Sequence, residues 1–476
     1  MIFKIIIFSR KVKSNWILRS DSYFEFANLI DMEGWPSGWR RTFGVRVCTL
    51  CNQGSNPWPS GFYQNFSEIM KYSIEKIAWI DCIFAPMNDI HSITIQIMCK
   101  AWSIYETAEQ SWIAHCVEHM FFKWWERYKN QKEVTETLDS IWANYNAFTS
   151  NSMVEYYVKC APEFVEKAID VLSDMLMNAK FDEKELGKEK WVIIQEMKMN
   201  EDNPARLVNN KWKTWYFWEN NFGRLVIWNE DTVTSFTSKD LHNYKSSLYT
   251  KDNLIIVVAG NWVDKKEIKE LIAKNFWSMR EKKSVWEPIF PNHKPKGHQS
   301  LYKKGTEQNH LIISANGIIW TDDKKYAAEV LASVLGWNMS SRLFQNIRTK
   351  EWLCYYISAG HGDNKHYWIF MIRAWMDKSR FDFGLKRIYE EIEKIADKWI
   401  TWKEFEKAIW YLQWNIQMWI ETSEEMASFL GTQYLIYNKI ETLEEILGKY
   451  KKLNLEDVNQ LSSMLDLENC YTYHIE

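Results

Sequence analysis

From residue 70 onward the hydrophobic pattern switches repeatedly between a period of two and a period near 3.6 residues. SITIQIMCKA (92–101) alternates like a half-buried strand, and SMVEYYVKCA (152–161) reads as a second one. Helical spacing predicts helices over about 110–127 and 132–141, then two long ones, PEFVEKAIDVLSDMLMNA and DEKELGKEKWVIIQEMKMNED. Pro162 suits a helix start, where a missing N–H costs nothing. NLIIVVAGN reads as a buried strand and WVDKKEIKELIAKNF as a helix. The stretch EPIFPNHKPKGHQS (287–300) is the expected linker. Beyond it the order recurs: strand HLIISANG, helix DDKKYAAEVLASVLG, strands LCYYISAG and HYWIFMIRA, then helices. This predicts an α+β protein of two duplicated halves, 70–286 and 301–476, each an antiparallel sheet with helices packed on one face.

Composition narrows the class. The 476 residues are long enough for two to three domains, and a net charge of -3 argues against a nucleic-acid binder that relies on bulk charge. No apolar run approaches the length of about 18 residues needed to span a membrane. Eight cysteines scattered through apolar runs make no disulfide framework, so a reduced, cytoplasmic chain is expected. Cys48 and Cys51 have C-x-x-C spacing, but no partner pair or β-α-β pattern accompanies them.

The chemistry lies in SWIAHCVEHMFF. On a helix, His115, Glu118 and His119 point from one face. Two imidazoles one turn apart can bind one Zn²⁺, and a catalytic zinc needs a third protein ligand and an open position. The adjacent carboxylate is placed to act as general base towards water.

H-x-x-E-H is the inverted zinc signature. With its flanking residues, the chain from 75 to about 470 resembles the family of pitrilysin, insulin-degrading enzyme and mitochondrial processing peptidase. The resemblance implies two homologous domains forming a half-clamshell, with a catalytic zinc-binding domain in the first half. It implies zinc metalloendopeptidase activity on peptides or unfolded segments, with Glu118 as the base and Glu196, in WVIIQEMKMNEDNP, as third ligand. Glu189, one helical repeat earlier, matches an acid that supports the ligands. ANYNAFTS matches the edge strand that pairs with substrate, through Asn146, Ala147 and Phe148. SSRLFQNIRTKEWLCYYISA matches the segment whose arginine and tyrosine reach the bound peptide, here Arg348 and Tyr355. Chains of this length in the family usually pair, so a homodimer or a heterodimer with a related subunit is implied. The alternative is a non-catalytic partner subunit; the retention of both histidines, Glu118 and Glu196 argues against it.

The tryptophans do not fit. There are 28 Trp and 17 Gly, where average usage of about 7% gives roughly 33 glycines. In the resembling family, glycine stands at Trp102, Trp112, Trp124, Trp142, Trp191, Trp228, Trp337, Trp352, Trp375 and Trp414. The expectation is that UGA codons, read here as Trp, encode Gly in the organism. Residues 33–61 point the same way: W-P-S-G fits TGG CCG AGT GGT of a serine-type transfer-RNA D-arm, and G-S-N-P fits GGT TCG AAT CC of a T-arm. Residues 1–69 are therefore expected to be an upstream reading frame rather than a domain, with Met70 as the start.

Overall fold

The computed structural model describes residues 70–476, apart from 102, 124, 150–152, 218–220, 224–229, 263–264, 282–296, 302–304, 317–322, 365–366, 463–464 and 466. Residues 1–69, with the Cys48–Cys51 pair, therefore lie outside the described residues, as do Trp102, Trp124, Trp228 and most of the expected linker.

The first half runs through strands β1 (Ser73–Ile77), β2 (Ile80–Pro86) and β3 (Ile93–Cys99) to helices α1 (Ile113–Phe121) and α2 (Gln131–Asp139). Strands β4 (Asn144–Thr149) and β5 (Val154–Cys160) follow, then helices α3 (Val165–Asn178), α4 (Glu183–Asp202) and α5 (Pro204–Phe217). Helices α6 (Glu230–Ser235) and α7 (Ser238–Leu248), strand β6 (Leu254–Gly260) and helix α8 (Lys265–Phe276) complete it. The second half holds β7 (His298–Leu301), β8 (Gln308–Asn316), α9 (Lys325–Ala332), β9 (Cys354–Asn364) and β10 (Tyr367–Asp377). It ends with α10 (Phe381–Lys398), α11 (Trp402–Met418), α12 (Ser423–Tyr437), α13 (Leu443–Lys452), α14 (Leu455–Ser462) and β11 (Cys470–Ile475). The last residues of the expected 287–300 linker are thus already strand.

The strands form two sheets, ordered β1-β2-β6-β3-β5-β4 and β7-β11-β8-β10-β9. Without β1 the two orders match element for element. Each has one parallel pair, β2 with β6 and β7 with β11, followed by three antiparallel pairs. The α+β class with two duplicated sheets holds, and the parallel pair refines the expectation of fully antiparallel sheets. It arises because the strand that closes each half returns in the same direction beside β2 in the first half and β7 in the second.

The halves exchange helices. On α12 of the second half, Ser423 Oγ lies 2.8 Å from Thr94 Oγ1, and Ser428 Oγ accepts from Gln96 Nε2 at 3.0 Å. In return α5 lies on the second sheet, where Trp212 Nε1 donates to Ser314 Oγ at 2.9 Å. This explains why β3, which reads as half-buried, is buried at every position: Thr94 and Gln96 are covered by a helix from more than 300 residues away, where Thr94 Oγ1 and Gln96 Nε2 find partners. Helices therefore cover both faces of the first sheet, since α3 packs on the opposite one. The contact is close because Gly431 of α12 lacks a side chain, and a Cβ there would meet Val257 Cγ2 at 2.9 Å.

Helix α1 is shorter than the expected 110–127. It starts after Trp112, whose backbone is left-handed at φ 84°, and ends at Phe121. Eight described non-glycine residues have positive φ, and five are tryptophans: Trp79, Trp112, Trp142, Trp352 and Trp399. A left-handed conformation costs a residue with a Cβ roughly 1–2 kcal/mol, and for a bulky residue it is an outlier. Trp142 is 94% and Trp352 80% exposed, so their indoles recover nothing by packing. Trp112 is buried, but its Nε1 has no hydrogen-bond partner among the described residues. Trp212, by contrast, has a satisfied indole in an ordinary helix. The backbone at the five left-handed positions is the one glycine adopts. Trp191, Trp337, Trp375 and Trp414 have no positive φ, so backbone conformation does not distinguish them.

Candidate metal centre

The candidate site is built on α1. Ile113, Ala114, Cys116, Val117, Met120 and Phe121 face the core, which leaves His115, Glu118 and His119 on the opposite face. No side chain at the N-cap position caps this helix. Glu106, buried and just upstream, does it instead: its carboxylate accepts from Trp112 N and Ala114 N, each at 2.9 Å. A negative charge at a helix N-terminus satisfies orphan donors and complements the dipole. Sequence reading missed Glu106, because the cap comes from six to eight residues upstream rather than from the adjacent position.

Helix α4 supplies the third group. Asp182 caps it, accepting from Lys184 N and Glu185 N. Glu189 and Glu196 lie two turns apart on one of its faces. Glu196 Oε2 is 3.6 Å from His115 Nε2 and 3.7 Å from His119 Nε2. One ligand atom from each of the three residues lies within 4.8 Å of the others. Donors bound tetrahedrally to one zinc at about 2.0–2.2 Å stand about 3.3–3.6 Å apart, so this set fits the ion. Two neutral imidazoles and one carboxylate leave a bound Zn²⁺ a net positive charge, as a Lewis acid requires. The side chains of His115, His119 and Glu196 keep 12–15% of their surface exposed.

Glu189 orients His119. Its Oε1 lies 2.9 Å from His119 Nδ1, and its Oε2 pairs with Lys123 Nζ at 2.8 Å. With the imidazole proton on Nδ1, Nε2 turns its lone pair towards Glu196. Burial opposes the charge on Glu189, but the hydrogen bonds from His119 and Lys123 outweigh it and hold the carboxyl below its usual range.

Glu118 is not part of the three-residue cluster. Its Oε2 accepts a hydrogen bond from Thr149 Oγ1, at the end of β4. That bond brings the edge of the first sheet alongside α1. Asn146, Ala147 and Phe148 pair with β5 on one side only, and β4 ends the sheet order.

Arg348 and Tyr355 lie together in the second half. Arg348 Cζ stands 4.6 Å from the Phe344 ring and 5.8 Å from the Tyr355 ring. The register between β9 and β10 shifts at Trp375/Met376, so that Tyr356 and Cys354 are paired and Tyr355 is the extra residue. A bulge re-aims a side chain, and Tyr355 is exposed.

Comparison with known proteins gives the family and the fold. The model for Insulinase (Peptidase family M16) matches residues 85–227, and that for Peptidase M16 inactive domain matches 235–412. A Bacillus subtilis protein named as an uncharacterized zinc protease, YmxG, is 33% identical over 80% of this chain and 92% of its own length. A probable mitochondrial-processing peptidase subunit beta of Arabidopsis thaliana is 25% identical over 78% of this chain and 71% of its own. Among solved structures, a protease from Helicobacter pylori superposes with a TM-score of 0.78 at 20% identity, covering 86% of this chain and all of that one. The peptidase M16 inactive domain from Pseudomonas fluorescens gives 0.79 at 14% identity, covering 85% of this chain and 97% of its own.

Proposed function

Since this chain belongs to the insulinase family of peptidases, M16, we propose that it is a zinc-dependent metalloendopeptidase acting on peptides or unfolded segments. The observation that carries the reading is the convergence of His115, His119 and Glu196 within coordinating distance, with Glu118 on the same helix face outside the ligand set. Zinc bound by those three residues supplies Lewis acidity towards a peptide carbonyl and towards water.

The chain's own groups do the rest. Glu118 takes a proton from the attacking water and passes it to the leaving amine, with Thr149 holding its carboxylate in place. Strand β4 aligns the substrate by adding it to the sheet edge through Asn146, Ala147 and Phe148. Ala147 N now donates to Asn146 Oδ1 at 2.9 Å, a bond that an incoming strand can replace. Arg348 and Tyr355 hold the peptide from the second half, which among the described residues has no metal-ligand cluster of its own.

The six described cysteines are free, which supports a reducing, cytoplasmic setting. No helix among the described residues is long and apolar enough to cross a membrane. Pairing with a second copy or a related subunit belongs to the same proposal.

The test is metal analysis with a cleavage assay on an unstructured peptide. About one zinc per chain, with cleavage lost on chelation and regained with Zn²⁺, is expected. A zinc-free protein that His115→Ala leaves unchanged would overturn the reading in favour of a non-catalytic subunit.

A further inference from the structure

The second sheet has a cavity that this chemistry does not use. It encloses about 220 Å³ between α5 and strands β8, β9 and β10, chiefly against Val208, Asn209, Ile312, Tyr356, Arg373 and Trp375. Pockets for drug-sized ligands run to about 300–1,000 Å³, so this one suits a single residue. One wall is aromatic, with Trp375 stacked on Tyr356 at 4.6 Å. A glycine at 375 would widen the cavity and leave its polar groups in place.

Those polar groups centre on Arg373. Its Nε donates to Asn209 Oδ1 at 3.1 Å, and one Nη faces Met371 Sδ at 3.6 Å. A guanidinium carries five N–H donors, and among the described residues no carboxylate pairs with it. Burial pushes its pKa below the usual value. A partly buried cation with no carboxylate beside it among the described residues is costly, and its planar fork matches a carboxylate in two-pronged fashion.

We propose that this cavity receives a carboxylate of the substrate peptide, with Arg373 as a specificity-determining residue that Asn209 holds in position. The proposal rests on the peptide-hydrolysis reading above. Its location fits: Tyr356 directly follows Tyr355, and α5 directly follows the helix that carries Glu196. A peptide passing Tyr355 therefore runs beside the cavity, and the carboxylate comes from an acidic side chain or from the C-terminus.

Calorimetry on the full-length, zinc-loaded Glu118→Gln protein reads the site without turnover. Three peptides of one core sequence are compared: neutral with an amidated end, neutral with a free C-terminus, and amidated with one glutamate moved along the chain. One acidic form should bind about 10- to 100-fold more tightly than the neutral amide, as for a charge-assisted hydrogen bond. Which form gains identifies the source of the carboxylate. Adding Arg373→Gln should erase the difference while neutral-peptide affinity stays, and Arg373→Lys should restore part of it. Equal binding of all three peptides, or an equal loss for all in Arg373→Gln, would overturn the proposal. Turnover by the protein with Glu118 intact is measured separately: in Arg373→Gln, KM for the preferred acidic peptide should rise with kcat unchanged. Failure of every peptide to be cleaved counts against the peptidase reading, while the binding comparison still decides the cavity.

Discussion

His119 and Glu189 are joined at 2.9 Å, so the acid that fixes the imidazole lies on the same helix as the third candidate ligand. Glu189→Gln keeps an acceptor for Nδ1 but removes the charge that Lys123 and the imidazole share. Zinc affinity should fall about 10- to 100-fold, measured by competition with a chelator. Unchanged affinity would show that Glu189 merely packs there.

Glu118 shares a face of α1 with His115 and His119 without joining the ligand set. Glu118→Gln should lower turnover by at least about 100-fold while zinc stays bound. Peptide cleavage retained in this variant would move the base to another residue.

Five tryptophans with left-handed backbones make a prediction about the protein's own composition. Mass spectrometry of the native protein should find glycine at 79, 112, 142, 352 and 399. Positions 79 and 399 come from backbone conformation alone, whereas 112, 142 and 352 come also from the family resemblance. Tryptophan in the peptides covering 112 and 142 would refute the decoding, whatever the enzyme does.

Glu155 gives a pH test away from the metal. Burial, with Glu424 nearby, raises its pKa to about 7 against the hydrogen bond from Gln96, which lowers it. Because the folded pKa lies above the unfolded value of 4.5, the folded state holds an extra proton between these pH values, and stability falls as pH rises through that window. Glu155→Gln should therefore gain stability over the parent above pH 7, on the order of 3 kcal/mol, with the gain vanishing below pH 4.5. Denaturant midpoints at pH 4 and pH 8 measure it. An equal effect at both values would assign the change to packing.

The site was legible where it is local. His115, Glu118 and His119 sit within one turn and a half, so helical geometry alone groups them. Glu196 is 77 positions beyond His119, and only the family resemblance singled it out. Glu106 was invisible because it reaches its helix from a separate turn, and no local signature marks such a cap. Strand β3 was found, but its burial was misjudged: Thr94 and Gln96 look solvent-facing until Ser423 and Ser428 are known to lie over them. The bulge at Tyr355 depends on register between two strands, which period-two patterning does not reveal.

The exchange of α5 and α12 sets an order of events during synthesis. Strands β3 and β6 are complete once residue 260 has been made, but the helix that covers this face of them ends at residue 437. At about 5–20 residues per second, that face waits roughly 10–35 s for its cover. A ribosome stalled between these points holds a sheet with Thr94, Gln96 and Met98 unshielded and apolar surface available to other chains. The nascent first half should thus need shielding until the second half has nearly left the ribosome.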